Sequence, residues 1–139
     1  MVPFAQPKID REQMALFSPT LGSMIPQDHP VRLLDELLGE VDWRLWEARY
    51  TSDLGRPPYP PRVVASAVLY GMRMGLRASR KLEHACSNSL DFIWLVHGHT
   101  IDHCTFCRFR TEFADEIKDL FRQICRIAIA MNVLHLVEI

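Results

Sequence analysis

The chain is expected to be mainly α: a compact multi-helix domain with a helix-turn-helix-like segment, an extended N-terminal arm ahead of it and a short C-terminal strand behind it. Three observations predict this. All nine prolines lie at or before Pro61, which leaves 78 following residues free of the strongest helix breaker. Apolar side chains recur at three- and four-residue intervals, most clearly at Phe109, Phe113, Ile117, Leu120, Phe121, Ile124 and Ala128. The composition is globular, with 139 residues, 48 % hydrophobic and 24 % charged, and a chain of this length can bury roughly two thirds of its unfolded surface without metal or disulfide staples.

Taken in order, residues 1–27 read as the arm, because Met1 to Pro30 carries five prolines, mixed polarity and no sustained period. The domain proper is expected over 28–132. Its first helix starts at Pro30, where a missing N–H does no harm, with Asp28 or His29 as cap. Val31, Leu34, Leu37 and Leu38 follow at helical spacing, and Gly39 ends the pattern. Asp42 can cap a second, short helix on which Trp43, Trp46 and Tyr50 share a face; aromatics at that spacing are expected to pack inward rather than to form a base-stacking platform.

Gly55-Arg56-Pro57-Pro58-Tyr59-Pro60-Pro61 reads as a stiff connector rather than a polyproline ligand. Pro61 opens a helix through Val63 to Met72, in which only Ser66 and Gly71 lack a hydrophobic side chain, and Gly75 is expected to end it. Ser79 is the expected N-cap of the next helix, with Arg80 and Lys81 exposed in its first turn, Glu83 a neighbour for Arg80, and Leu82, Ala85 and Cys86 as its apolar stripe. Ser89 or Asp91 caps Phe92 to Val96, which Gly98 closes. A last continuous helix runs from about Thr105, its polar face carrying Glu112, Asp115, Glu116, Lys118, Asp119, Arg122 and Arg126. From Ile127 to Ile139 only Asn132, His135 and Glu138 are polar, and residues 133–139 favour a strand. A chain that stops inside an apolar run is expected to lack a companion, either a further domain or a partner chain.

Charge is distributed unevenly. The formal net charge is -1, yet residues 54–82 hold Arg56, Arg62, Arg73, Arg77, Arg80 and Lys81 with no acidic residue. Such a block attracts a polyanion over a Debye length of about 8–10 Å, unless the arginines pair with the acidic segments on either side. Arg62, at a helix start where a cation is disfavoured, is expected to answer to a nearby carboxylate. No export signal and no membrane span is legible, because Val63 to Met72 is about half the roughly 20 apolar residues a bilayer requires. A cytoplasmic protein with reduced thiols at Cys86, Cys104, Cys107 and Cys125 and no structural disulfide is expected.

The order Gly55-Arg56-Pro57 with Pro60-Pro61, an apolar helix, Ser79-Arg80-x-x-Glu83, Phe92-x-Trp94-Leu95, Asp102-His103-x-Thr105 and Arg108-Phe109-Arg110 resembles the N-terminal domain of bacterial insertion-sequence (DDE-type) transposases, the InsH type. The likeness covers about residues 25–135. It implies a helical DNA-binding and assembly region that precedes an RNase H-like catalytic domain, where three acidic residues hold two divalent metal ions for strand cleavage and transfer. No acidic residue here matches those positions, and Asp91, Asp102 and Glu112 are not candidates. The chain is therefore expected to be no enzyme itself, with no catalytic residue and no cofactor, its last residues 133–139 leading towards an absent catalytic domain.

The resemblance implies double-stranded DNA at transposon ends as partner, a homo-oligomer or a full-length transposase as protein partner, and a nucleoid-associated location. A protein-interaction module that regulates a full-length transposase through its apolar C-terminal run is the alternative. Helices at 79–88, 91–97 and from 105 resemble a helix-turn-helix series. Arg108 and Arg110 are candidates for the groove, and Arg73, Arg77, Arg80 and Lys81 for phosphates. Each of the two later arginines has an intramolecular alternative: Glu112 for Arg108, and Glu83 or Asp102 for Arg110.

Cys104 and Cys107 depart from the family pattern and give His103-Cys104-x-x-Cys107, half of a tetrahedral zinc site. Four ligands are needed, and Cys86, Cys125, His97 or His99 would have to complete it through space. No metal is expected. Cys107 is instead expected as a core-facing thiol, and neither cysteine as a nucleophile, which would need a partnered base.

Overall fold

The computed structural model describes residues 19–50 and 59–131, with positions 4, 6, 11, 12 and 14 before them. Residues 51–58, which hold Gly55-Arg56-Pro57, and 132–139, which hold the expected strand, lie outside the described residues. Those described form a mainly α domain of seven helices: α1 Pro30–Gly39, α2 Arg44–Glu47, α3 Pro61–Met74, α4 Ser79–Asn88, α5 Leu90–Leu95, α6 His103–Glu112 and α7 Ala114–Ala130. A 3₁₀ turn, Gly22–Met24, precedes them.

Helix starts follow the local chemistry. Pro30 and Pro61 both sit in a first turn, and His29 caps α1 by accepting the Val31 N–H at Nδ1, 3.1 Å away. Asp42 accepts the Arg44 N–H at 3.1 Å and binds its guanidinium with both oxygens. These bonds pull its carboxyl down to about 2.

α3 is the centre of the fold. Pro61 and every residue from Val63 to Gly71 are buried, because α1, α4, α5 and α6 all pack around it. Ahead of α1, Ile25 is 4 % exposed and belongs to the core. Arg32 fastens this stretch by donating to the carbonyls of Gly22, Ile25 and Pro26 while lying 5.2 Å from the centre of the Trp94 ring. Arg62 reaches Asp35 from the start of α3, at 3.2 Å to its carbonyl and 3.4 Å to its carboxylate, as its place at a helix N-terminus requires. Tyr70 donates to Asp91 at 2.6 Å; burial, then this bond and the carboxylate charge, push the phenol well above its ordinary range.

The last helical stretch is two helices rather than one. Phe113 leaves helical geometry at φ -114°, ψ 26°, and the cause is tertiary. Its ring stacks on Trp46 at 5.1 Å and on Tyr50 at 5.9 Å, packs on Phe109 at 4.8 Å, and has the Arg49 guanidinium 4.4 Å from its centre. Arg49 also pairs with Glu116. The expected stripe bends there: Leu120 and Ala128 remain buried, but Phe121 is 55 % exposed.

Three local expectations are corrected. Ser79 is not the cap of α4 but its first helical residue; Ala78 holds the cap position and has no side-chain acceptor, while the Ser79 hydroxyl is engaged by Cys107 and Arg110 of α6. Glu83 reaches His103 Nδ1 at 3.1 Å instead of Arg80. Cys107 is exposed, not core-facing.

Candidate nucleic-acid interface

The turn between α3 and α4 is tightly determined. Gly75 is left-handed at φ 76°, the Leu76 N–H returns to the Gly71 carbonyl at 2.7 Å, and the Gly75 N–H to that of Met72 at 3.4 Å. This pair of bonds is a Schellman ending. It sets Arg73 in the last turn of α3, Arg77 in the connection, and Arg80 and Lys81 in the first turn of α4, all four exposed. None of the four forms an ion pair with a described residue. Arg73 is favourably placed at a helix C-terminus, whereas Arg80 and Lys81 stand at the positive end of α4 with no acidic residue in its first turn. The helix adds to their potential instead of offsetting it.

Arg110 joins this group. From α6 it donates to the Ser79 hydroxyl at 3.3 Å, bonded neither to Glu83 nor to Asp102. α4 packs on both α5 and α6, so of the three helices read as a helix-turn-helix series the first holds the other two. Arg108 goes elsewhere. Residues two apart on an α-helix point about 200° apart, and Arg108 lines a cavity of about 750 Å³ with Tyr50, Tyr59, His99, Asp102 and Glu112. Glu112, its expected partner, thus shares the cavity with it, without an ion pair between them. Tyr59 donates to the Thr100 carbonyl at 2.8 Å and meets the edge of His99 at 5.4 Å. The Thr105 hydroxyl, with help from the Arg108 charge, holds Asp102 below its ordinary value. Of the six candidates, four stand exposed at the α3–α4 turn, half-buried Arg110 is bonded to Ser79 beside them, and Arg108 faces a hollow that it shares with two carboxylates, Asp102 and Glu112.

Reasoning from local sequence missed Ser79 as the tether of that surface. Its hydroxyl receives Arg110 and also the Cys107 thiol, at 3.2 Å, and both donors lie some thirty residues away in sequence. Among the described residues, no three His, Cys, Asp or Glu side chains converge to hold a metal ion, and no helix is long and apolar enough to cross a membrane.

The family model described as a transposase domain (DUF772) matches residues 19–112, from just before the 3₁₀ turn to the end of α6. No curated protein and no solved structure matches the chain.

Proposed function

Because the chain belongs to this transposase-domain family, whose role is in transposition, we propose that it binds double-stranded DNA at transposon ends and helps to organise the transposase assembly, without itself cutting the strands. The observation that carries this reading is the group of exposed cations at the α3–α4 turn, unpaired within the described chain and reinforced by the α4 N-terminus. Arg73, Arg77, Arg80 and Lys81 contact phosphates, which supply affinity and salt dependence but little sequence information. Arg110 belongs with them. Arg108 is reassigned to the cavity.

The test is duplex DNA binding measured over a range of salt concentrations. Each phosphate contact contributes about 0.9 to the slope of log affinity against log salt, so the Arg80→Ala/Lys81→Ala double variant is expected to lower the slope by about two and to weaken binding to all sequences alike. Arg108→Ala is expected to leave the slope unchanged. Absence of binding at low salt, or an unchanged slope in the double variant, contradicts the proposal.

A second reading has its own support. Phe121 and Ile129 on α7 are 55 % and 42 % exposed and lie within a quarter turn of each other, an apolar strip that suits another transposase chain. In this reading the domain pairs with a full-length transposase and regulates it. Co-purification with such a chain, lost in Phe121→Glu, is the expected result; pairing that survives Phe121→Glu argues against this surface.

A further inference from the structure

Two thiols that DNA binding does not use stand together on α6. We propose that Cys104 and Cys107 are a redox-active dithiol, a modification site at which a small disulfide oxidant closes an intrahelical disulfide. Residues three apart on an α-helix have Cα atoms about 5 Å apart, inside the span of about 4.4–6.8 Å that a disulfide requires. Both thiols are exposed, whereas Cys86 is buried and Cys125 half-buried. Burial also pushes the Cys86 thiol up to about 11, which keeps it protonated and unreactive.

The surroundings select the kind of oxidant. The Cys107 thiol donates to the Ser79 hydroxyl at 3.2 Å, and Arg110 donates to the same oxygen at 3.3 Å, so the thiol lies beside a guanidinium and next to the first turn of α4 with Arg80 and Lys81. A cationic setting concentrates anionic reagents, and oxidised glutathione, a peptide disulfide carrying free carboxylates, is such a reagent. One thiolate attacks a glutathione sulfur, forming a mixed disulfide and releasing one glutathione thiolate. The second cysteine then attacks the protein-bound sulfur, closing the Cys104–Cys107 bond and releasing the other. Two protein thiols are oxidised, one glutathione disulfide is reduced to two thiols, and the two protons pass to the leaving thiolates. Closure removes the proton that Cys107 gives to Ser79, leaving that hydroxyl to Arg110 alone. The chemistry stands whether or not the surface binds DNA.

The test treats the reduced full chain with oxidised glutathione and reads its intact mass. The wild-type protein is expected to lose two hydrogens and keep no glutathione. Cys86→Ser and Cys125→Ser are expected to behave likewise, whereas Cys104→Ser and Cys107→Ser each retain a glutathione on the surviving exposed thiol. Both of those substitutions are at exposed positions, and circular dichroism checks that the helices persist. The proposal is overturned if the wild-type chain accumulates stable glutathione adducts, if the loss of two hydrogens survives Cys104→Ser, or if oxidation links chains through Cys125.

Discussion

Phe113→Ala is expected to destabilise the domain by about 3–5 kcal/mol, the range for deleting a large buried aromatic. The ring is 2 % exposed and is the common member of a stack in which Trp46 lies at 5.1 Å, Phe109 at 4.8 Å and Tyr50 at 5.9 Å. Each such pair contributes about 0.5–1.5 kcal/mol beyond the area it buries. The Arg49 guanidinium lies 4.4 Å from the centre of the same ring and pairs with Glu116 on α7. The loss is therefore felt in α2, α6 and α7 together. Chemical denaturation read by circular dichroism checks it, with Phe113→Leu as the companion variant that restores apolar volume but not the stack. Leucine is expected to fall between wild type and alanine. A cost below about 1 kcal/mol for alanine, less than the transfer of one buried side chain, would show that the aromatic stack does not hold these helices.

Gly71→Ala is the second large effect, and its sign runs against helix propensity. Alanine gains up to about 1 kcal/mol over glycine inside a helix. Here a Cβ would lie 2.5 Å from Leu82 Cδ2 and 2.7 Å from the Leu76 carbonyl oxygen. The leucine tip can swing aside, but the carbonyl belongs to a turn pinned by the 2.7 Å bond from Leu76 N–H to the Gly71 carbonyl. Overpacking of this kind costs about 1–3 kcal/mol, so a net loss in melting temperature is expected. Gly39→Ala is the control, because its added Cβ would meet nothing nearer than the Arg62 guanidinium at 3.7 Å. If Gly71→Ala proved as stable as Gly39→Ala, α3 and α4 would not approach as closely as described.

Much of the helical frame was legible because its signals are local. Pro30 and Pro61 open helices, His29 is one of the two caps expected for α1, and Gly75 ends α3 as its position implied. Trp46 and Phe109 were readable as core by spacing. What was not legible depends on contacts between distant residues. Nothing between Phe109 and Ile117 is a glycine or proline, so the break at Phe113 has no local signal; the stack with α2 decides it. Ser79 looks like a cap to a local rule, yet its hydroxyl is engaged by Cys107 and Arg110 from another helix. Glu83 likewise prefers His103, twenty residues on, to Arg80 three residues back. The separation of Arg108 from Arg110 is different in kind: side chains two positions apart on a helix point to nearly opposite sides, and that was available from spacing alone.

The Schellman ending of α3 has a thermodynamic consequence for any polyanion that meets it. Arg73, Arg77, Arg80 and Lys81 are carried by backbone already fixed in the free protein, so association has little main chain left to order. The entropic cost then falls on side-chain rotamers, about 0.5–1.5 kcal/mol for each immobilised long side chain. Contact made through charged tips also covers little apolar surface, and the heat capacity of binding is accordingly small. A polyanion bound as proposed would meet a rigid electrostatic template, with the release of counterions, rather than folding of the protein, as the source of affinity.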